Sequence, residues 1–184
     1  MQQKYGGVPS NGRGWPMIAL KNILVPTDFG ETSQVALKYA LELASTYHGS
    51  LHVLHVVPDP SDQPWPVELE AEASGSALSE LTQRWEERAN EQLKKLLSET
   101  ERKELGVRLM TSVGHPTEQI LQYAKDQAVD LIVMGTLGRG TVAHTWRVSL
   151  GSVAERVVRQ APCPVLTVRH PALDTAVTPT AQTA

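Results

Sequence analysis

Two short stretches carry residue types that can handle a charged small molecule. The first is Gly135-Thr136-Leu137-Gly138-Arg139-Gly140, directly after the apolar run Asp130–Met134. Twelve residues separate Gly138 from Gly151-Ser152, which opens an amphipathic segment. Glycines after a strand let the chain turn sharply and let a ligand approach the backbone. A helix start offers unpaired N–H groups and the positive end of a dipole, both suited to phosphate. Ser152 adds a hydroxyl, either as the helix N-cap or as a phosphate donor. The same residues also describe a plain strand-to-helix loop. No Gly-Lys-Ser/Thr follows, so the segment is not a Walker A loop. It follows the fourth strand instead of the first, so it is not a dinucleotide-binding fingerprint.

The second stretch is Pro26-Thr27-Asp28, at the end of the first apolar run. Parallel α/β sheets bind ligands outside the carboxyl ends of their strands. An aspartate there can accept hydrogen bonds from a ribose diol. It can equally cap the next helix, with Glu31 completing a capping-box-like arrangement. The two roles are compatible.

Other candidates read more plainly. Arg139, His144 and Arg147 lie in the loop that would face phosphate, and arginine suits bidentate phosphate contact; for His144 a solvated loop is the simpler reading. His48, His52 and His55 surround the second strand without acidic or cysteine partners at ligand spacing, so a satisfied structural role is expected and no metal site. Cys163, between Pro162 and Pro164, reads as a packing residue. Trp65 is a candidate cover for the crevice or a partner surface, and Trp85 is core by periodicity. No nucleophile has an obvious base and no carboxylates pair in a shared motif, so no catalytic residues are assigned.

The elements that must position these residues follow from patterning. Apolar runs of strand length alternate with segments of helical period, the signature of βαβ units and a parallel sheet. Strands are expected at Asn22–Pro26, Ser50–Val57, Val107–Val113, Asp130–Met134 and Val165–Arg169. The helix after Asp28 carries the stripe Val35, Leu37, Ala40, Leu41 and Ala44. A second helix is expected over Ser76–Leu105, stopped by Gly106. A third opens at Pro116, and a last covers Ser152–Gln160. Residues 58–75 form a long connection. The domain spans 18–170. Residues 1–17 read as a flexible extension, with Met17 an alternative start, and 171–184 as a disordered tail.

Composition narrows the function classes. The 184 residues carry a net charge of -3, which argues against nucleic acid as the main partner. No apolar run reaches membrane-spanning length, and the first 16 residues lack the apolar centre of a signal peptide. The lone Cys163 fits a reducing cytoplasm.

Five segments in order resemble the universal stress protein (UspA) family: Ile23–Phe29, Leu54–Val57, Leu131–Gly135, Gly151–Val157 and Ala161–Val168. The resemblance covers residues 18–170. It implies a three-layer α/β sandwich with a five-stranded parallel sheet of order 3-2-1-4-5, of the adenine nucleotide alpha hydrolase-like, Rossmann-like kind. That order sets the ends of strands one and four side by side. Some members bind ATP through a G-2x-G-9x-G-S/T pattern. By position, Pro26, Thr27 and Asp28 would hold adenine and ribose, and Val56 would touch adenine. Met134, Gly135, Gly138 and Arg139 would line ribose and phosphates, and Gly151, Ser152 and Val153 would cradle the phosphates. The resemblance thus implies an ATP-binding stress-response module, with Mg2+ accompanying the nucleotide. It also implies a homodimer through the final strand and coupling to a protein partner. At most slow ATP hydrolysis is expected. One departure bears on this: twelve residues, not nine, separate Gly138 from Gly151. The rival expectation is a nucleotide-free member acting by protein contact alone, its longer loop blocking the site.

Overall fold

The computed structural model describes residues 19–62, 75–138 and 150–169. The N-terminal extension, the C-terminal tail, Trp65, Arg139, His144 and Arg147 lie outside the described residues.

The elements run β1 (Asn22–Pro26), α1 (Glu31–Tyr47), β2 (Ser50–Val57), a 3-10 turn (Pro60–Asp62), α2 (Gly75–Leu96), α3 (Glu99–Glu104), β3 (Arg108–Val113), α4 (Pro116–Asp126), β4 (Leu131–Gly135), α5 (Ser152–Gln160) and β5 (Val165–Val168). The five strands form one sheet of order β3-β2-β1-β4-β5. All four pairings are parallel. This is the expected three-layer α/β architecture. The order reverses between β1 and β4, which are neighbours, so a crevice opens outside their carboxyl ends.

Strand alternation sorts the core into two layers. Ile23, Val25, Leu51, Val53 and Val133 pack against α1 and α2 through Ala36, Ala40, Ala44, Leu93 and Leu97. Leu24, Leu54, Ile132 and Met134 pack against α4 and α5 through Ile120, Ala124, Ala154 and Val157. Central strands buried on both faces read as unbroken apolar runs, and this made them visible in the sequence.

Several boundaries differ from expectation. The single helix over Ser76–Leu105 is two helices. Ser98 interrupts it: its hydroxyl accepts from the Glu101 N–H at 3.2 Å, and the Glu101 carboxylate accepts from the Ser98 N–H at 2.8 Å. That reciprocal capping box starts a new helix where the leucine stripe had suggested continuity. Gly106 does end the helical segment, at φ +55, in the left-handed region glycine tolerates. Strand β3 begins at Arg108, one residue after the expected Val107. Strand β4 is shifted by one residue, to Leu131–Gly135, and β5 stops at Val168. Trp85 is half-buried instead of a core residue.

Candidate functional site

The turn after β1 is built by its own side chains. The Thr27 N–H donates to the Leu54 carbonyl at 2.8 Å, extending the β1–β2 pairing by one residue. Thr27 Oγ1 accepts from the Phe29 N–H at 3.0 Å, and Asp28 Oδ1 accepts from the Gly30 N–H at 2.9 Å. Consecutive side-chain turns of this kind fold the backbone back on itself. Phe29 sits at φ +63, a left-handed conformation unusual for a phenylalanine. Two contacts hold the turn there. His55 Nδ1 lies 2.7 Å from the Thr27 carbonyl, so that nitrogen carries the proton and donates. The Phe29 ring lies against the His55 ring, with centroids 4.3 Å apart.

These contacts correct one expectation. Asp28 is not the N-cap of α1; Gly30 is, and it makes no side-chain cap hydrogen bond. Asp28 closes an Asx turn two residues earlier, through the Gly30 N–H. The expected structural role of His55 holds.

The second wall comes from β4 and α5. The Thr136 N–H donates to the Val168 carbonyl at 3.0 Å, and the Gly151 N–H donates to the Thr136 carbonyl at 2.7 Å. A Cβ at Gly151 would stand 3.4 Å from the Thr136 oxygen and 3.8 Å from the Gly138 nitrogen. The two limbs of the glycine segment therefore meet, despite the twelve residues between Gly138 and Gly151. Gly151 is the N-cap of α5, and Ser152 is its first residue, so Ser152 is not the N-cap. The first bond within α5 is Glu155 N–H to the Gly151 carbonyl. The N–H groups of Ser152, Val153 and Ala154 thus have no partner within the helix.

Gly135 has a purpose the sequence did not suggest. A Cβ there would lie 2.9 Å from Thr32 Cγ2 and 3.1 Å from the Thr32 carbonyl carbon. Its missing side chain seats α1 on the sheet, on the layer opposite Met134.

Between the two walls lies a cavity of about 360 Å3. It brings together Pro26, Thr27, Asp28, Val56, Met134, Gly135, Gly138, Gly151, Ser152 and Val153. The eleventh expected site residue, Arg139, lies outside the described residues. The structure adds Ser33, Leu54, His55, Pro116, Ile120, Thr136, Leu137 and Ala154 to the lining. Leu54 was legible, since it shares a strand face with Val56. Pro116 and Ile120 come from α4, whose seat across the sheet no local pattern reveals. The floor is apolar and sized for a planar group. The rim offers one carboxylate, Asp28, on the β1 side and the bare α5 N-terminus on the other.

The residues of 19–169 match the model of the Universal stress protein family.

The chain belongs to the universal stress protein family. A universal stress protein of Methanocaldococcus jannaschii is 39% identical over 153 residues, with 82% of this chain and 83% of the relative covered. The solved structure of a second protein of that organism is 30% identical, covers 83% of this chain and 98% of its own, and gives a TM-score of 0.66. The universal stress protein UspA from Lactobacillus plantarum is 29% identical, covers 82% of this chain and 98% of its own, and gives 0.64. Two more distant structures share the fold. One is a universal stress protein in complex with cAMP, 23% identical, covering 82% of this chain and 97% of its own, at a TM-score of 0.53. The other is an Arabidopsis thaliana family protein with AMP bound, 20% identical, covering 84% and 95%, also at 0.53. The fold is thus the Rossmann-like, adenine nucleotide alpha hydrolase-type fold of universal stress proteins.

Away from the crevice, Cys163 follows its expected role and His52 does so in part. Cys163 is half-buried and packs on the α4–α5 layer. Burial, and secondarily the Asp130 charge, push its thiol pKa up, which disfavours the reactive thiolate. His52 is buried, with Nδ1 3.0 Å from the Tyr123 hydroxyl, but its buried Nε2 has no hydrogen-bond partner among the described residues, so the expected satisfied histidine is only half satisfied. Among the described residues, no group of three or more His, Cys, Asp or Glu stands together as metal ligands. None of the described helices is long and apolar enough to cross a membrane.

Proposed function

We propose that this chain is a nucleotide-binding stress protein whose crevice holds an adenine nucleotide, ATP or a product of it. The observation that carries the reading is the single cavity at the β1–β4 switch point, which joins a carboxylate rim to a bare helix N-terminus across an apolar floor. Adenine would lie on Leu54, Val56 and Met134. Asp28 would accept from the ribose diol. The phosphates would face the N–H groups of Ser152, Val153 and Ala154, with Gly138 and Gly151 leaving the backbone open to them. Arg139, which the resemblance also assigns to the phosphates, would add a guanidinium. The two fold neighbours that hold cAMP and AMP lend support at the level of fold.

Mg2+ fits only as a companion of the nucleotide. The crevice rim offers one carboxylate, Asp28, and one of its oxygens already accepts from Gly30. The ion would ride mainly on phosphate oxygens and water. The chain's own residues bind and orient, so the reading is a binding module with at most slow ATP hydrolysis.

Assembly follows from the sheet edge. Strand β5 is an edge strand, and Leu166 on it is 37% exposed. An unpaired edge with an exposed leucine suits pairing with a second copy, from which occupancy of the crevice would be passed to a protein partner. The lone cysteine fits a cytoplasmic setting.

The test is direct. The purified protein is denatured, and any released nucleotide is identified by chromatography and mass spectrometry; the refolded or nucleotide-stripped protein is then titrated with ATP and AMP. Saturable binding of either supports the reading. No released nucleotide together with no titration signal overturns it, and favours the nucleotide-free rival that the three additional loop residues motivate.

A further inference from the structure

A second, smaller cavity of about 210 Å3 lies on the opposite face of the sheet from the adenine floor, between the β2 end and α2. This open cavity is lined by Phe29, His55 and Trp85 together with Pro58, Arg88 and Gln92. Two of the chain's nine Phe, Trp and Tyr residues, together with the His55 ring, line this one opening. Their flat faces suit a planar ring, by stacking or edge-to-face contact. The volume is below that of a drug-sized site, so it admits one ring and not a nucleotide.

The polar lining groups favour a ligand with negative charge. Arg88 is exposed and makes no ion pair among the described residues. Its guanidinium fork matches a carboxylate bidentately, and Gln92, one helical turn on, lies on the same face of α2 and can add a neutral hydrogen bond. A cationic ligand would meet Arg88 as a like charge.

This cavity shares a wall with the crevice. His55 borders both. It holds the Thr27 carbonyl at 2.7 Å and stacks on Phe29, whose φ of +63 needs that support. A ligand seated against Phe29 and His55 therefore bears on the turn that presents Asp28. We propose that this cavity is a regulatory site for a small aromatic carboxylate, and that its occupancy alters nucleotide affinity in the crevice. The regulatory half rests on the proposed nucleotide binding; the binding half does not.

Benzoate is the probe, titrated calorimetrically into the full chain, with benzylamine and cyclohexanecarboxylate as comparisons. A Kd of about 10 mM is expected for its nine non-hydrogen atoms at an ordinary ligand efficiency of about 0.3 kcal/mol per atom. Cyclohexanecarboxylate should bind more weakly and benzylamine should not bind. Arg88→Gln, at an exposed position, should weaken benzoate about fivefold through the lost charge-assisted pair. Trp85→Leu should weaken it further. Saturating benzoate should shift AMP or ATP affinity severalfold, and the nucleotide should shift benzoate affinity by the same factor. No benzoate binding, or binding indifferent to Arg88→Gln and equal for benzylamine, overturns the site. Benzoate binding that leaves nucleotide affinity unchanged overturns the regulation. If no nucleotide binds at all, the proposed function fails while the benzoate titration still decides the site.

Discussion

Replacing Asp28 separates the two tasks assigned to it. Its Oδ1 accepts from the Gly30 N–H at 2.9 Å, and Gly30 is the N-cap of α1. Alanine removes that part-buried hydrogen bond, at a cost of about 1 kcal/mol. In a domain of this size that lowers Tm by about 2–4 °C. Asparagine keeps a carbonyl acceptor in the same place, so Asp28→Asn should stay close to the parent in stability. Nucleotide binding should respond differently. A hydrogen bond from the ribose to a carboxylate is worth roughly twice one to a neutral amide. Asparagine should therefore weaken binding about fivefold, and alanine, losing the acceptor altogether, about thirtyfold for a loss near 2 kcal/mol. Thermal denaturation and calorimetric titration with AMP and ATP read the two effects. Equal affinity in all three proteins would refute the ribose role. Equal destabilisation by Asn and Ala would refute the Asx-turn role.

Further predictions follow from other contacts. Gly135→Ala forces a methyl against Thr32, with 2.9 Å to Cγ2 and 3.1 Å to the backbone, and should cost about 1–3 kcal/mol in a urea titration; an unchanged midpoint would mean that α1 shifts freely. Ser98→Ala removes the capping box that starts α3 and should destabilise by about 1 kcal/mol, read the same way. Burial, aided by nearby Arg108, holds the His52 pKa below its ordinary 6.5. The unfolded chain then takes up the proton first as pH falls, so this contribution is complete above 6.5 and declines below it. His52→Gln should flatten that decline in denaturation midpoints measured across the range; a parallel decline in the variant would place its cause elsewhere. Leu166→Arg should convert a dimer to monomer in light scattering without altering the crevice.

The sequence made the sheet and most of the crevice legible for a simple reason. Central strands such as β1 and β4 are apolar on both faces, and the ligand-facing turns sit at their ends, so finding the strands located the turns. Local hydrogen bonding was harder to see. Asp28 and Ser152 both have N-cap chemistry, yet Gly30 and Gly151 occupy the N-cap positions. At Gly30 space is tight, since a Cβ would come within 3.0 Å of Asp28 Oδ1; at Gly151 a Cβ would meet only ordinary contact, 3.4 Å from the Thr136 oxygen. The break at Ser98 had a local signal, Ser98 followed three residues later by Glu101, but it lay under a leucine stripe that continued through Leu96 and Leu97. Contacts across layers left no local trace. Gly135 against Thr32, and Pro116 and Ile120 in the crevice, depend on how helices seat on the sheet.

The central claim is that an adenine nucleotide occupies the β1–β4 crevice, and a crystal structure of the chain grown with saturating AMP tests it most directly. The account predicts the base on Val56 and Met134, the ribose diol at Asp28, and the phosphate at the N–H groups of Ser152 to Ala154. A crevice without nucleotide density, or AMP bound at another place on the molecule, would contradict it.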